Sequence, residues 1–277
     1  MIEPNRAGTG HTSHGAPPTH LTVDALTALG LPHALTTRHC PGASSPGDDR
    51  CPVPPAAAAI LSRHDLDPSR LAFARQVHGT RVVHATGPGS AGEADVILSR
   101  LPGQPVAVFT ADCLPIVLCD RDRGLLALVH AGWRGTVNDV ARAAVEALTA
   151  AGADAAGLVA AIGPSIGPCC YEVDHVVTEP LTSAFPWTER WIRPVGTSRR
   201  ARAGSPPARP DWPTTEEERE HWMLDLWGVN ETQLALAGIR PSNIHNVRLC
   251  TSCRTDLFYS YRRGARGRLV TLAALPA

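Results

Sequence analysis

Short apolar runs separated by polar turns dominate the middle of the chain. Runs of this length, bounded by turn residues and rich in branched side chains, are typical of buried strands. The pattern predicts strands around residues 71–85 and at residues 106–111, 116–120, 125–129, 158–162, 244–249, 257–261 and 269–273.

Helical periodicity marks three blocks that lie apart from the paired strands. In residues 136–151, apolar side chains recur three and four positions apart, and Gly152 is well placed to end the helix. Residues 173–184 and 224–237 give the second and third helices. Strands in consecutive pairs, with helices in separate blocks, favour an α+β layered sandwich over a doubly wound parallel sheet.

Two polar stretches set the expected domain boundaries. Residues 1–20 are rich in Gly, Pro, Thr and His, so we expect a disordered tail there. Residues from about 195 to 219 contain Gly-Ser-Pro-Pro and Arg-Pro-Asp-Trp-Pro pieces, which indicate a surface loop or insertion. Residues 21–277 are then expected to form a single catalytic domain that carries this loop.

Composition narrows the function classes. The 277 residues contain 26 acidic and 26 basic side chains, so the net charge gives no attraction to nucleic acid or to anionic membranes. The chain has no lysine, which excludes Schiff-base chemistry and phosphate binding by a P-loop lysine. The sequence shows no signal-peptide pattern and no apolar stretch of transmembrane length. We therefore expect a cytoplasmic protein with a small-molecule substrate and no nucleic-acid or membrane partner.

Three short segments offer one thiol and two imidazoles. His78 lies in residues 76–79, Cys113 in residues 110–115 and His130 in residues 130–135, and the last two follow apolar runs. Separations of 35 and 17 positions exclude a local zinc finger, so any shared site needs the tertiary fold. Zinc held by these three ligands would keep one coordination position open for water. A buried thiol beside hydrogen-bonded structural histidines explains the same residues equally well.

The remaining cysteines invite a second interpretation as redox or metal ligands. Cys169 and Cys170 are adjacent, and Cys250 and Cys253 form one CxxC pair. A single CxxC that does not open a helix in a βαβ unit is a weak signal, so we expect buried packing thiols. We predict no structural disulfides, because eight cysteines in a chain of this size do not resemble a small secreted scaffold.

Six ordered motifs extend over about residues 36–275. They are QVHG, TADCLP and HAGWRG in the three segments above, GPSIGPCCYEV at 163–173, LDLW at 224–227 and the C-terminal run at 250–263. Their order and spacing resemble the YfiH/FAMIN-type family, once named multicopper polyphenol oxidases or laccase-like proteins. The resemblance implies a YfiH-like, four-layer α/β/β/α sandwich. It also implies a catalytic zinc with His78, Cys113 and His130 as its ligands.

The resemblance suggests two kinds of reaction. Members are associated with purine nucleoside phosphorolysis, adenosine deamination and methylthioadenosine cleavage, which makes a purine nucleoside and phosphate the first expected substrates. Some bacterial members are instead associated with an editing amidase that removes L-Ser from UDP-MurNAc-L-Ser. A non-catalytic binding protein that kept the fold is a third hypothesis, and the intact triad argues against it. We expect a monomer or a small homo-oligomer.

Substrate-binding candidates lie beside the motifs. Arg38 and Arg134 could hold phosphate, because a guanidinium offers paired donors, although either could be a surface or ion-pair arginine. Asp112 could orient a ligand or accept a proton, and a structural role in a turn is as plausible. Residues 36–49 depart from the family pattern by lacking a longer stretch with Ser-Leu-Asn-Leu, and residues 56–66 lack its Asn-Arg pair. This departure bears on the substrate and not on the metal ligands.

Phenol oxidation by a copper enzyme ranks low. A multicopper oxidase needs closely paired histidines, whereas this chain has 12 histidines and no His-x-His. A blue-copper site usually takes a methionine as its axial ligand, and the chain contains only Met1 and Met223. Copper could nevertheless occupy the zinc-type site, because its intrinsic affinity for such ligands is higher.

Overall fold

The computed structural model describes residues 10–40, 57, 61–195 and 220–277. Within these ranges the strands are β1 (His11–Gly15), β2 (Pro18–Val23), β3 (His33–Thr36), β4 (Ala72–Arg75), β5 (Val82–His84), β6 (Gly89–Glu93), β7 (Val96–Ser99), β8 (Val106–Thr110), β9 (Leu114–Asp120), β10 (Leu125–Ala131), β11 (Val159–Ile162), β12 (Glu172–Val173), β13 (Ile192–Pro194), β14 (Trp222–Leu224), β15 (Ile244–Asn246) and β16 (Leu269–Ala273). The α-helices are α1 (Asp24–Ala28), α2 (Trp133–Val137), α3 (Val140–Ala150), α4 (His175–Ala184) and α5 (Leu226–Leu236).

Two large sheets form the centre of the fold. One contains seven strands in the order β1-β2-β3-β16-β8-β4-β6, and the other contains six in the order β15-β11-β9-β10-β7-β5. A small third sheet has the order β12-β14-β13. Most neighbours pair antiparallel, as β9 and β10 do, whereas β4 pairs parallel with β6 and β8. The predicted α+β class is confirmed.

Three apolar layers hold these elements together. Val108 and Leu269 of the seven-stranded sheet pack against Leu126 and Leu128 of the six-stranded sheet. The opposite face of the six-stranded sheet packs against α3 and α5, and the outer face of the seven-stranded sheet is covered by the segment that contains Leu61. The result is the expected four-layer sandwich, in which both sheets are covered on both faces.

The predicted strand at residues 71–85 is two strands in different sheets. β4 belongs to the seven-stranded sheet and β5 to the six-stranded sheet, so residues 76–81 cross from one to the other. A second crossing joins β8 of the first sheet to β9 of the second through residues 111–113. These two crossings bring polar segments from distant parts of the chain to the junction between the sheets.

Two further predicted elements differ from the structure. The helix predicted at residues 136–151 is divided into α2 and α3, because Asp139 has a left-handed backbone with φ of 60°. The strand predicted at residues 257–261 is wrong, since this segment forms turns that lead into a 3-10 helix at Tyr261–Arg263. Apolar residues there, such as the fully buried Phe258, anchor a loop against the core.

The prediction of a disordered tail at residues 1–20 is wrong for residues 11–20. β1 and β2 form an antiparallel hairpin, and β2 continues the sheet by pairing with β3. These strands lack the apolar pattern of a buried strand because histidine side chains make their packing contacts. The rings of His14 and His20 stack with centroids 4.6 Å apart, and the ring of His64 contacts both of them edge-on. Residues 1–9, and the loop expected at about 195–219 except for Val195, lie outside the described residues.

The helices are short. The longest in the described part of the chain have 11 residues, and none there has the length and apolar character needed to span a bilayer.

Candidate metal centre

The fold brings His78, Cys113 and His130 together at the junction between the two sheets. One ligand atom from each lies within 4.8 Å of the other two. The imidazole rings of His78 and His130 are 4.8 Å apart and nearly perpendicular. His130 is buried, Cys113 is partly buried and His78 is exposed, so the site is open on the His78 side.

The three ligands come from one strand and from the two crossings between the sheets. His130 lies within β10 and is fixed by that strand's pairing with β9. Cys113 and His78 lie in the two crossings between the sheets. Both crossings need an unusual backbone, since φ is 61° at His78 and 87° at Asp112, values that side-chain-bearing residues seldom adopt. Such conformations persist only where surrounding contacts hold them, and each of these has such contacts.

Asp95 is the residue that holds the centre in place. Its Oδ1 accepts hydrogen bonds from His130 Nδ1 at 2.7 Å and from the backbone N–H of His78 at 3.0 Å. Its Oδ2 accepts from the N–H groups of Val77 at 3.2 Å and Gly79 at 2.7 Å. One buried carboxylate thus fixes the left-handed turn at His78 and the orientation of the His130 ring.

This arrangement leaves the other ring nitrogen of His130 free to act as a ligand. A metal-binding histidine usually donates its second N–H to a carboxylate or carbonyl, which fixes its tautomer and raises its basicity. Nδ1 of His130 donates to Asp95, so Nε2 is the nitrogen available on the Cys113 side. Burial opposes the negative charge of Asp95, but the hydrogen bonds to it outweigh burial and lower its pKa.

The local electrostatics favour a thiolate at Cys113. Burial alone would raise its pKa, but the charge of His130 and hydrogen bonds from both histidines lower it to about 6. Burial would likewise lower the pKa of His130, and the charge of Cys113 and the hydrogen bond to Asp95 raise it to about 9. The thiolate is the form of cysteine that binds metals.

Gly132 keeps the space beside the ligands clear. A Cβ atom at this position would lie 3.0 Å from Cys113 Sγ and 3.1 Å from His78 Cδ2. The backbone at Gly132 is extended, with φ of −84°, so conformational strain does not demand a glycine there. A glycine is required there because a side chain would occupy the space of the ligands or of what they bind.

The donor set fits zinc. Two imidazole nitrogens and one thiolate, with a fourth side open, are the ligand types and number found in catalytic zinc sites. The carboxylate behind His130 supplies the outer support that such sites need.

Known proteins resemble this chain over most of its length. The sequence model of the family described as multi-copper polyphenol oxidoreductase laccase matches residues 40–276. A purine nucleoside phosphorylase of Deinococcus radiodurans is 33% identical over 260 residues, which cover 90% of each chain. The chain belongs to this family. Adenosine deaminase RL5, from an unknown prokaryotic organism, is 32% identical over 228 residues, which cover 78% of this chain and 79% of the relative.

Solved structures of the family share the whole fold. YlmD from Geobacillus stearothermophilus superposes with a TM-score of 0.75 at 28% identity, covering 97% of this chain and 100% of that one. The hypothetical protein YfiH of Bacillus licheniformis gives a TM-score of 0.74 at 25% identity, covering 93% of this chain and 97% of that one. The resemblance seen in the sequence motifs to this YfiH/YlmD family is therefore confirmed.

The other residues expected at the site have different surroundings. The Asp112 carboxylate accepts hydrogen bonds from Thr251 Oγ1 at 2.6 Å, Ser260 Oγ at 3.0 Å and the backbone N–H of Arg262 at 2.7 Å. Its backbone carbonyl accepts from the N–H of Ile166 at 2.9 Å. These contacts explain the left-handed backbone at Asp112 and favour the structural alternative for this residue.

The two arginines differ in what they contact. The exposed Arg134 places its guanidinium over the ring of Trp133 at 4.3 Å, on the first turn of α2 directly after Gly132. Arg38 donates a hydrogen bond to the carbonyl of Thr255 and lies 5.3 Å from the ring centre of Tyr259. Arg38 is therefore held by the C-terminal segment, whereas the contact shown for the Arg134 guanidinium is the one with Trp133.

Sequence reasoning missed Asp95 and Tyr171. Asp95 had a visible signal, since it directly precedes the buried apolar run of β7, but only the fold shows that it faces His130. Tyr171 packs beneath the guanidinium of Arg262 at 5.5 Å, and burial together with the nearby charge of Cys113 raises its pKa.

Proposed function

We propose that this protein is a zinc-dependent purine nucleoside phosphorylase that also deaminates adenosine and cleaves methylthioadenosine by phosphorolysis. The observation that carries the proposal is the convergence of His78, Cys113 and His130 on one open site. The names of the relatives, purine nucleoside phosphorylase and adenosine deaminase, supply the substrate class.

The three side chains divide the work of holding the ion. Cys113 contributes a thiolate, His130 contributes Nε2 while Asp95 holds its Nδ1 proton, and the exposed His78 completes the set on the solvent side. Bound zinc supplies a Lewis acid that lowers the pKa of water towards neutrality, the chemistry needed to attack the purine C6 carbon. Gly132 leaves the open position accessible, because it has no side chain to fill the space.

Phosphorolysis requires a cation that places phosphate beside the ribose. Arg134 is our first candidate, because its exposed guanidinium follows Gly132 by two positions. Arg38 is the second, and it would have to leave the carbonyl of Thr255 or use its remaining donors. Asp112 has a structural role in this proposal: three donors already engage its carboxylate and hold the turn that carries Cys113.

Product analysis with matched variants tests the proposal. Zinc-loaded protein and the Cys113→Ala variant would be incubated with adenosine, inosine and methylthioadenosine, with and without phosphate, and products followed by mass spectrometry. Cys119→Ala is the matched control, because Cys119 is a buried thiol in β9 outside the metal centre. We expect inosine from adenosine without phosphate, and hypoxanthine with ribose 1-phosphate from inosine only with phosphate. Both activities should persist in Cys119→Ala and be lost in Cys113→Ala.

Other outcomes would reassign the site. The absence of any Cys113-dependent purine product would contradict the proposal. Serine release from UDP-MurNAc-L-Ser under the same conditions would support the editing amidase instead. Phenol oxidation after exchange of zinc for copper would support the laccase-like alternative, with the same three ligands.

A further inference from the structure

A second group of metal-binding side chains lies outside the His78–Cys113–His130 centre. Cys169 and Cys170 follow β11, and Cys250 and Cys253 follow β15, so the two pairs are some eighty positions apart in the chain. The fold places all four sulfur atoms within 4.8 Å of one another. The expectation of buried packing thiols is wrong for Cys169 and Cys253, which are exposed, and the four residues form one thiol cluster.

The sulfur positions are close to those of a tetrahedral thiolate site. Cys253 Sγ lies 3.4 Å from Cys169 Sγ and 3.4 Å from Cys170 Sγ. Four sulfurs bound to zinc at about 2.3 Å would be about 3.8 Å apart at the corners of a tetrahedron. The other sulfur pairs are no more than 4.8 Å apart, which is about 1 Å above this spacing.

Hydrogen-bond donors surround the cluster as they would surround a negatively charged centre. The backbone N–H of Gly167 donates to Cys250 Sγ at 3.3 Å, and Arg263 Nη2 lies 3.9 Å from Cys170 Sγ. Four thiolates and one divalent cation carry a net charge of minus two, which N–H donors and a nearby guanidinium stabilise.

Packing alone does not explain these cysteines. Cys169 and Cys253 are exposed, whereas Cys119 and Cys40, which do pack in the core, are buried. A thiol that contributes only apolar area has no reason to lie at the surface beside three others.

We propose that Cys169, Cys170, Cys250 and Cys253 bind a zinc ion in a structural site that is separate from the metal centre. Four protein ligands leave no open position, and such closed sites contribute to folding and not to chemistry. This ion would cross-link the loop after β11 to the loop after β15. That link reinforces an existing one, in which the N–H of Thr251 donates to the carbonyl of Ser165 at 3.0 Å.

Two cysteines of the thiol cluster directly precede residues that lie near the metal centre. Cys170 is followed directly by Tyr171, and Cys250 by Thr251, whose hydroxyl donates to Asp112 beside Cys113. A zinc ion in the thiol cluster would therefore fix the segments that contain Ile166 and Thr251, two of the segments that contact Asp112. Its loss should loosen the substrate side without removing a ligand of the catalytic ion.

Metal counting by inductively coupled plasma mass spectrometry tests the proposal. We expect two zinc ions per wild-type chain purified under reducing conditions, one in Cys113→Ala and one in the Cys169→Ser/Cys253→Ser double variant. Cys119→Ala is the control and should retain both ions. A single zinc ion in wild type that persists in the double variant would overturn the proposal.

Cobalt spectroscopy gives a readout that does not depend on activity and leaves all four cysteines of the thiol cluster in place. Cobalt-loaded Cys113→Ala protein should show intense thiolate-to-metal charge transfer in the near ultraviolet together with the visible bands of a tetrahedral ion. The absence of these bands would count against a thiolate site. So would an intact mass lower by two hydrogens that maps to a disulfide within the cluster under the reducing conditions of purification.

Discussion

Replacing Asp95 by Asn should remove hydrogen bonds that position His78 and His130 while leaving all three metal-binding side chains unchanged. The carboxylate accepts four hydrogen bonds, two at each oxygen, from His130 and from the backbone of residues 77–79. An amide keeps one of these oxygens and places an N–H₂ group where the other was. Two buried donors would then face a donor instead of an acceptor.

The expected size of the effect follows from those contacts. Each buried donor left without an acceptor costs about 1–3 kcal/mol of folding free energy. Loss of a carboxylate behind a metal-binding histidine typically lowers metal affinity or activity by about 10–100-fold, which corresponds to about 1.4–2.8 kcal/mol. We therefore expect Asp95→Asn to fold with reduced stability and to bind zinc about 10–100-fold more weakly.

Competition with a chromophoric chelator measures the zinc affinity, and chemical denaturation measures the stability. Asp120→Asn is the matched control, because Asp120 is also buried and accepts hydrogen bonds from Arg123 and from the backbone N–H of Asp154, at the far end of β9. It should lose stability and keep its zinc affinity. If Asp95→Asn binds zinc as tightly as wild type, Asp95 does not position His130 for metal binding.

Three further outcomes follow from the structure. Gly132→Ala should weaken zinc binding, measured by calorimetric titration, and reduce kcat/KM, because the new Cβ would lie 3.0 Å from Cys113 Sγ. Gly87→Ala is the control, because a Cβ there meets nothing within 4 Å, and it should change neither quantity. Thr251→Val should lower the free energy of unfolding by about 1.5–3 kcal/mol, the usual value of a hydrogen bond to a charged group, and equal urea midpoints for variant and wild type would contradict it. Burial, followed by the charges of His64, His14 and Arg63, lowers the pKa of His20 from 6.5 to about 4. The folded protein then binds fewer protons than the unfolded chain, so this part of the stability is present above pH 6.5 and is lost as pH falls towards 4. Melting temperature should therefore fall less steeply over that range in His20→Gln than in wild type or in the exposed-site control His84→Gln.

The centre of the fold could be predicted because its strands are buried on both faces. β9 and β10 are fully buried along their length, so their sequences are continuous apolar runs that no surface strand resembles. Cys113 lies next to one of these runs and His130 at the end of the other, and the resemblance carried by the motifs around them singled out the three residues that the fold brings together. Local sequence was sufficient for these strands because their burial is uniform.

The prediction failed where a segment's environment depends on distant parts of the chain. Nothing within residues 71–85 shows that β4 and β5 belong to different sheets, since that crossing depends on which partners β7 and β8 offer. The hairpin of β1 and β2 has a polar sequence because histidine rings pack against His64, which lies about 45 positions away. Composition describes average surroundings, and these residues have exceptional ones.

The thiol cluster also depends on contacts between distant parts of the chain. Sequence spacing finds a zinc site when its cysteines come in two short pairs of a recognised type, and here one pair is adjacent and the other is CxxC. The sheet order brings the two cysteine pairs together, because β11 and β15 are parallel neighbours and the loops that follow them leave the same end of the sheet. The His78–Cys113–His130 group is likewise assembled where chain crossings meet at one end of the sheets. Both groups are thus consequences of topology, and a search for local metal motifs would find neither.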